Sequence, residues 1–239
     1  MEWRDRVVVI TIDRPERRNA VDHPTLLALA DAQRAAVDGG ARALVLTGSH
    51  PAFCAGADLT GVESGEFVTA LVRVLRGFTE LPFPTIAAID GPALGAGTQL
   101  AIACDLRIAT QTSTFGIPAA KLGLAVDHWT IERLAREMGW PIARAMLLAA
   151  QTYHAEQLHI AGAVHRLGAL DEAIVWADQL AGLAPLTIAA HKLGLERSAP
   201  PPAVDEPFEA LRTGVWASAD AEEGRIAFLE KRPPRFRGE

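Results

Sequence analysis

The stretch Asp90–Asp105, DGPALGAGTQLAIACD, decides how this chain folds. It follows an apolar run at 84–89 that is typical of a buried strand, and it passes through a glycine-rich turn into a short helix. Gly91, Gly95 and Gly97 can adopt strained backbone dihedrals and carry no side chain that would block a close approach. A helix that begins at such a turn points free N–H groups and the positive end of its dipole outward. The pattern therefore indicates a site for an anion, or for an oxygen that becomes one during a reaction.

The polar side chain that this helix offers near its start is Gln99. An amide donates and accepts hydrogen bonds, but it does not take up a proton near neutral pH. The segment thus predicts an oxyanion-type site that has no base of its own.

The composition excludes several classes of protein. The length of 239 residues is within the range of a single α/β domain, and the net charge of −6 makes nucleic acid an unsuitable partner. Two cysteines, Cys54 and Cys104, form no CxxC pair, which favours reduced thiols. The N-terminal residues lack a signal-peptide core, and no apolar run approaches the length of a membrane span. We expect a cytoplasmic protein.

The first half of the chain alternates between strand and helix patterns, which predicts a layered α/β domain. Strands are expected at 7–12, 43–47 and 85–89, and helices at 24–37 and 66–78. From about residue 128 the pattern is helical, with helices expected at 128–138, 142–150, 154–161, 171–183, 185–195 and, after a proline-rich break, 208–231. This change indicates a core followed by a helical C-terminal part, not two independent domains.

A second turn of small residues, AFCAGADL at 52–59, follows the strand expected at 43–47. Its backbone N–H near Ala57 can face the same site as the turn at 95–97. Two converging N–H donors would polarise a carbonyl and hold an enolate-like oxygen. The alternative interpretation is a tight loop between core elements.

Asp127 stands between an apolar run and an expected helix, so it fits an N-cap. It also fits a carboxylate that is supplied to a pocket as a base, and both roles can hold at once. His154 and His159 are five apart, off the spacing that places two imidazoles on one helix face, and we expect no metal site. Cys54 has no identifiable base beside it, which disfavours a nucleophile. The basic tail at 231–238 suits solvent or a phosphate-bearing ligand.

The chain resembles the crotonase family, the enoyl-CoA hydratases and isomerases, in five ordered blocks. These are ITIDRPERRNAVD (10–22), LVLTGSHPAFCAGADL (44–59), FPTIAAIDGPALGAGTQLAIACDLRIAT (83–110), FGIPAAKLGLAV (115–126) and FLEKRPPRF (228–236). The resemblance implies an α/β fold of the ClpP/crotonase-like type, a spiral of ββα repeats over residues 1–190. It also implies a C-terminal helical trimerisation segment at 191–239 and a homotrimer or hexamer.

The same resemblance implies a CoA thioester as ligand or substrate, with no further cofactor and no metal. The thioester carbonyl would accept hydrogen bonds from the N–H groups of Ala57 and Ala96, the two donors of an oxyanion hole. His128 and Trp129 would line the acyl pocket. The residues implied to contact CoA are Arg18, Ala20, Ala55, Gly56, Asp58, Leu59, Phe228 and Lys231.

Two departures from the family pattern decide the expected function. Gln99 and Ala119 stand where family hydratases carry their catalytic glutamates, so hydratase activity is expected to be absent or very weak. The chain is most similar to mycobacterial-type members, which implies an acyl-CoA binding protein of fatty-acid and lipid metabolism, with a lipid-synthesis protein as a partner. Asp127 occurs where some family isomerases carry an aspartate. The alternative is therefore an enoyl- or dienoyl-CoA isomerase that uses Asp127 as its single base.

Overall fold

The computed structural model of the protein describes residues 1–60, 65–198 and 205–238. The strands are β1 (Glu2–Arg4), β2 (Val7–Ile12), β3 (Ala43–Gly48), β4 (Thr85–Ile89), β5 (Pro92–Leu94), β6 (Leu106–Ala109), β7 (Thr114–Gly116), β8 (Tyr153–His154) and β9 (Arg166–Leu167). The helices are α1 (His23–Asp38), α2 (Gly65–Glu80), α3 (Ala96–Ala103), α4 (His128–Met138), α5 (Trp140–Leu148), α6 (Ala155–Ile160), α7 (Leu170–Ala181), α8 (Pro185–Ser198), α9 (Glu206–Trp216) and α10 (Ala219–Leu229). Two 3-10 helices lie at Pro15–Arg17 and Pro118–Leu122.

The main sheet has six strands in the order β1-β2-β3-β4-β6-β9, and a second sheet has the order β5-β7-β8. In the main sheet only β1 and β2 pair antiparallel; the other neighbours are parallel, as alternating strands and helices require. The strands expected at 7–12, 43–47 and 85–89 are confirmed as β2, β3 and β4. Every residue of β4 is buried, which explains the continuous apolar run at 84–89.

Contacts divide the chain into two compact units. The first comprises Met1–Phe115 and Tyr153–Pro200, and the second comprises Gly116–Thr152 and Pro201–Glu239. The main sheet and the glycine-rich turn of 91–97 belong to the first unit. The expected division at residue 190 concerns assembly into trimers and stays a prediction.

The core of the first unit forms where α7 packs on the main sheet. Alternate residues of β2, β3, β4 and β6 point to one face of the sheet and meet the apolar side of α7. The residues of this cluster are Val7, Val9, Ala43, Val45, Ile86, Ala88, Ile108, Ala173, Ile174, Trp176, Ala177 and Ala181. This packing fixes the strand ends from which the turns of the site extend.

A buried arginine closes the C-terminal end of α3. Arg107 is 1% exposed, and its guanidinium donates to the carbonyls of Ala101 at 3.2 Å and Cys104 at 3.0 Å. It also donates to the carbonyl of Ala163 at 2.8 Å. A cation is favourable at this end of a helix because the last carbonyls lack intrahelical donors and the dipole is negative there. The arginine thereby holds the helix that carries Gln99.

A buried lysine of α8 joins three other segments of the first unit. The Lys192 ammonium donates to the carbonyls of Phe78 at 2.9 Å and Phe83 at 3.1 Å, and to the Asp105 carboxylate at 2.7 Å. The same carboxylate oxygen accepts from the N–H and hydroxyl groups of Thr85, at 2.7 and 2.8 Å. These bonds satisfy a buried charge and connect α8 to the starts of β4 and β6.

In the second unit, the single helix expected at 208–231 is wrong. The chain forms two helices there, α9 and α10, because Ser218 interrupts the helical hydrogen bonds and caps the second one. The Ser218 hydroxyl accepts the N–H of Ala221 at 3.1 Å. A serine side chain that bonds nearby backbone competes with helix continuation and favours an N-terminus. The helix expected at 128–138 is confirmed as α4.

No single helix of the described residues is long and apolar enough to cross a membrane. In the part of the chain that the structure describes, only α7 and α8 taken together have the required length and composition, and the chain bends by 108° between them. The cytoplasmic location stays a prediction.

Candidate oxyanion site

The two small-residue turns, CAGAD (54–58) and LGAGT (94–98), lie backbone against backbone in the first unit. The N–H of Leu94 donates to the carbonyl of Cys54 at 2.9 Å. A Cβ atom at Gly97 would stand 2.1 Å from that same carbonyl oxygen, so no other residue fits without a shift of the backbone. The sequence analysis predicted such a close approach, and the structure shows which atoms require it.

Two further glycines set the path of these turns. Gly95 is the N-cap of α3, with φ of 54° and ψ of −116°, a conformation that favours glycine. Gly56 has φ of 119°, and a Cβ atom there would stand 3.2 Å from the carbonyl oxygen of Leu94. The first turn can therefore approach the start of α3.

The direction of the Ala96 N–H follows from its peptide plane. The carbonyl of Gly95 accepts the N–H of Gln99 at 3.0 Å and thus points along the helix. In a trans peptide the N–H points opposite to the carbonyl of the same plane. The N–H of Ala96 therefore points outward from the N-terminus of α3, where the helix dipole favours negative charge.

The Ala57 N–H is fixed in the same way, by a bridge to Val21. The carbonyl of Gly56 accepts the N–H of Val21 at 2.8 Å, and the N–H of Asp58 donates to the carbonyl of Val21 at 2.8 Å. The N–H of Ala57 consequently points away from Val21. Among the described residues, neither this N–H nor that of Ala96 has a hydrogen-bond acceptor. Their convergence on one oxygen stays a prediction.

The Arg18-Asn19-Ala20 loop is attached to the first turn. The N–H of Ala55 donates to the carbonyl of Arg18 at 3.0 Å. The fully buried Asn19 donates from its amide to the carbonyls of Ser49 and Ala52, both at 2.6 Å. The structure therefore brings together the predicted CoA-contact residues at 18, 20, 55, 56 and 58, with Leu59 next in the chain. Their contact with CoA stays a prediction.

Arg14 joins the segments around this loop, a role that the sequence analysis missed. Its guanidinium lies 2.9 Å from the carboxylate of Asp22 and 3.2 Å from that of Asp58, and it donates to the carbonyl of Ala20. Burial raises the pKa of the Asp58 carboxyl, but hydrogen bonds from Thr60 and Arg14 together lower it below its ordinary value. In the sequence, D-R-P at 13–15 indicates only a turn.

Gln99 and Cys54 supply no base or nucleophile to the site. Gln99 is buried on α3 with 6% of its surface exposed, and its side chain is a neutral amide. Burial raises the pKa of the Cys54 thiol to about 12, so the thiol stays protonated at neutral pH. This agrees with the expectation that Cys54 is not a nucleophile. Cys104 is likewise free and buried.

The remaining predicted catalytic residues belong to the second unit. Ala119 lies in the 3-10 helix Pro118–Leu122, and Asp127 occupies the N-cap position of α4. The half-buried Asp127 carboxylate accepts a hydrogen bond from the hydroxyl of Thr130 and makes no capping hydrogen bond with a backbone N–H. The N-cap interpretation is therefore confirmed in position. The role of Asp127 as a base stays a prediction.

His128 and Trp129 begin α4. The His128 ring packs against Phe208 of α9, with 5.0 Å between ring centroids. Both residues are partly exposed. Their part in an acyl pocket stays a prediction.

The C-terminal tail folds back along α10. Arg232 pairs with the Glu223 carboxylate at 2.6 and 2.8 Å, and these hydrogen bonds lower the pKa of Glu223 to about 2. The Asp220 carboxylate accepts the N–H groups of Arg237 and Gly238, both at 2.7 Å. The tail thus makes defined contacts within its own unit. Phe228 and Lys231, the predicted CoA contacts at this end, are both exposed to solvent.

Within the described ranges, no group of three or more His, Cys, Asp or Glu side chains is arranged to hold a metal ion.

The sequence profile of the enoyl-CoA hydratase/isomerase family matches residues 2–239. The chain belongs to this family. It is 42% identical over 238 residues to the probable enoyl-CoA hydratase echA6 of Mycobacterium tuberculosis (strain CDC 1551 / Oshkosh), covering 98% of this chain and 97% of that protein. It is 33% identical over 254 residues to the 2,3-dehydroadipyl-CoA hydratase of Escherichia coli (strain K12), covering 98% and 96%. These similarities confirm the family resemblance of the five sequence blocks.

Solved structures show that the fold is the crotonase fold. A methylmalonyl-CoA decarboxylase in complex with 2-nitronate-propionyl-CoA superposes with a TM-score of 0.88 at 27% identity, covering 97% of this chain and 95% of the other. An enoyl-CoA hydratase from Mycobacterium avium subsp. paratuberculosis K-10 gives a TM-score of 0.88 at 27% identity, covering 99% and 97%. This member of the family is therefore an acyl-CoA processing protein in its general class.

Proposed function

We propose that this family member binds a fatty acyl-CoA thioester in lipid metabolism and does not hydrate it. The observation that carries the proposal is the pair of outward-pointing N–H groups of Ala57 and Ala96, each fixed by its own peptide plane. A third residue, Gln99, contributes an amide where a hydratase would need a carboxylate.

The N–H groups suit a thioester carbonyl for an electrostatic reason. The two donors are fixed before a ligand arrives, so they can stabilise a partial or full negative charge on the oxygen without reorganisation. The methylmalonyl-CoA decarboxylase of the same fold was solved with a nitronate-bearing CoA thioester. A nitronate carries its negative charge on oxygen, as an enolate does.

The lack of hydration follows from the residues at the two glutamate positions. Adding water to an enoyl thioester requires a base to activate the water and an acid to protonate the α-carbon. Gln99 does neither near neutral pH, and Ala119 has no polar side-chain atom. Each lost acid or base costs a factor of about 10²–10⁴ in rate, so the loss of both removes practical turnover.

The remaining parts of the proposal concern the CoA moiety and assembly. The connected loops at 18–20 and 55–59 would hold the CoA, and Phe228 and Lys231 would approach it from another protomer of a homotrimer or hexamer. The acyl chain would pass His128 and Trp129. No further cofactor is needed for binding, and we propose that a lipid-synthesis protein receives or supplies the ligand.

A second candidate function is an enoyl- or dienoyl-CoA isomerase. The observation that favours it is the position of Asp127, whose half-buried carboxylate is held by Thr130 at the start of α4. A single base can move a proton between two carbons of an enolate while an oxyanion hole holds the charge.

Calorimetry and spectrophotometry with the same ligands test these proposals. We expect the protein to bind a saturated acyl-CoA in titration calorimetry and to show no hydration of crotonyl-CoA. The double variant Gln99→Glu, Ala119→Glu should gain measurable hydration, because it restores the two carboxylates that hydration requires as acid and base. The single variants serve as controls and should each gain far less than the pair.

Three outcomes contradict the proposal or favour the alternative. Rapid hydration by the wild-type protein would refute the loss of hydratase chemistry. Absence of acyl-CoA binding would refute the binding function. Isomerisation of an unsaturated longer-chain CoA that disappears in Asp127→Asn would favour the isomerase.

A further inference from the structure

The Arg14 guanidinium contacts the chain on both sides of Val21, the residue whose two hydrogen bonds to Gly56 and Asp58 fix the direction of the Ala57 N–H. Val21 makes this bridge, and Arg14 donates to the carbonyl of Ala20 and pairs with the carboxylate of Asp22. On the other strand of the bridge, Arg14 pairs with Asp58, the residue that follows Ala57. The arginine therefore contacts both neighbours of the bridging residue and one neighbour of the proposed oxyanion donor.

We propose that Arg14 is a positioning residue that sets the direction of the Ala57 N–H. The inference rests on the proposed binding of a thioester carbonyl by that group. Arg14 touches neither Ala57 nor the ligand position itself; it acts through the two hydrogen bonds between Val21 and the chain at 56–58. A change in the geometry of these two hydrogen bonds rotates the peptide plane between Gly56 and Ala57. The Ala57 N–H lies in that plane and turns with it.

The anchoring of Arg14 itself supports this role. The backbone N–H of Arg14 donates to the Asn19 side-chain carbonyl at 2.8 Å, and the Asn19 amide is in turn fixed on the carbonyls of Ser49 and Ala52. The guanidinium thus extends from a backbone position that hydrogen bonds hold in place. Its planar group of donors reaches three acceptors at once, which a single ammonium on a flexible stem does less well.

The ionisation of Asp22 and Asp58 stabilises their ion pairs with Arg14. Burial raises the pKa values of Asp22 and Asp58. Hydrogen bonds from Thr25 to Asp22, and from Thr60 and Arg14 to Asp58, together with the charge of Arg14, lower each pKa below its ordinary value. Both carboxylates are therefore charged near neutral pH. Only 23% of the Arg14 side-chain surface is exposed, so the guanidinium is largely shielded from water and solvent screening weakens the attraction only in part.

Isotope-edited infrared spectroscopy tests the inference with butyryl-CoA that carries ¹³C at the thioester carbonyl. In the wild-type protein, hydrogen bonds to the carbonyl should lower its stretching frequency relative to free ligand. In Arg14→Met this lowering should be smaller, because the Ala57 N–H no longer points at the oxygen. A purely structural role would change the melting temperature without changing this band.

Affinity provides a second readout. The thioester should bind wild-type protein more tightly than the matched thioether, in which CH₂ replaces the carbonyl. Arg14→Met should reduce this preference by about 2- to 12-fold, since one neutral hydrogen bond is worth about 0.5–1.5 kcal/mol and 1.4 kcal/mol is tenfold. Arg34→Met is the matched control, because Arg34 pairs with Asp31 on the exposed side of α1. Arg34→Met should leave unchanged both the stretching frequency of the bound carbonyl and the preference for the thioester over the thioether.

The outcomes separate this inference from the function on which it rests. A wild-type protein that binds no butyryl-CoA, or binds it with an unshifted carbonyl, refutes the proposed function. A shifted wild-type band that persists unchanged in Arg14→Met overturns the positioning role. If Arg14→Met does not fold, Asp58→Asn decides, since it removes the ion pair and keeps the backbone bond to Val21. A reduced shift in Asp58→Asn supports the inference and an unchanged one overturns it.

Discussion

A single missing side chain at position 97 allows the two turns of the oxyanion site to meet. In Gly97→Ala the added Cβ would lie 2.1 Å from the Cys54 carbonyl oxygen, a distance that real Cβ atoms essentially never show. The turns must separate to relieve this overlap, and the Ala57 and Ala96 N–H groups separate with them. We expect Gly97→Ala to lose at least tenfold in affinity for acyl-CoA, measured by titration calorimetry, and to unfold at a lower temperature.

Gly194→Ala is the matched control for this substitution. Gly194 lies inside α8, and no atom stands within 4 Å of the position of an added Cβ. Alanine there should stabilise the protein by about 0.5–1 kcal/mol, because glycine is unfavourable in a helix interior. If Gly97→Ala bound acyl-CoA as tightly as Gly194→Ala, the close contact of the turns would be irrelevant to binding.

Individual residues of the site differ in how far the sequence predicts them. The glycine turn and Gln99 could be predicted, because glycine and amide chemistry act locally and can be inferred from a few neighbouring residues. Arg14 could not, because its partner Asp58 lies 44 residues away and an ion pair of that separation has no spacing pattern. Its nearer partners, Ala20 and Asp22, are visible only once the loop at 18–20 is folded. Long-range polar contacts depend on the tertiary structure.

Among the elements, segments with a clear hydrophobic pattern and clear ends were predicted well. The strand at 85–89, a continuous apolar run, and the helix at 128–138, which has helical periodicity, have the predicted bounds. Strands β8 and β9 have two residues each and pair only because distant segments reach them. A single capping serine was enough to divide α9 from α10, and helical periodicity alone does not show such a break.

The buried pair of Lys192 and Asp105 should account for much of the attachment of α8. Lys192→Met removes a cation that is 7% exposed and leaves the Asp105 carboxylate without its charged partner. Breaking a buried pair costs about 3–5 kcal/mol, and the partial exposure of Asp105 favours the lower end of that range. We therefore expect a loss of about 3 kcal/mol in the free energy of unfolding, measured by urea denaturation.

Lys121→Met is the control for replacing a lysine by a methionine at a position that, among the described residues, makes no buried ion pair. Lys121 is exposed at the end of a 3-10 helix, and its substitution should alter the free energy of unfolding by no more than about 0.5 kcal/mol. Equal effects of the two variants would show that the hydrogen bonds of Lys192 contribute no net stability. The double variant Lys192→Met, Asp105→Asn should recover part of the loss, because no unpaired charge then stays buried.

For the molecule as a whole, the sequence predicts the class of fold from alternation and the family from five blocks, and both are confirmed. Neither the alternation of elements nor the five sequence blocks determines the oligomeric state. It depends on which apolar surfaces the folded chain leaves uncovered, and these appear only when the core is complete. Several large apolar side chains of the expected trimerisation segment, 191–239, are exposed in the single chain: Leu193, Leu195, Leu211, Phe228 and Leu229. Exposed apolar groups of this kind favour contact with another protein surface.

Leu211 provides the sharpest test of a trimer or hexamer. It lies on α9 with 70% of its surface exposed, and in an assembly built on this segment it would be covered by a neighbouring protomer. We expect wild-type protein to have three or six times the protomer mass by light scattering, and Leu211→Glu to shift it toward the protomer, because burying a carboxylate without a partner is costly. Leu27→Glu, at a 43% exposed position on α1, should leave the mass unchanged. A monomeric wild-type protein would refute the trimer and the hexamer, and a Leu211→Glu variant of unchanged mass would place the assembly surface outside this part of α9.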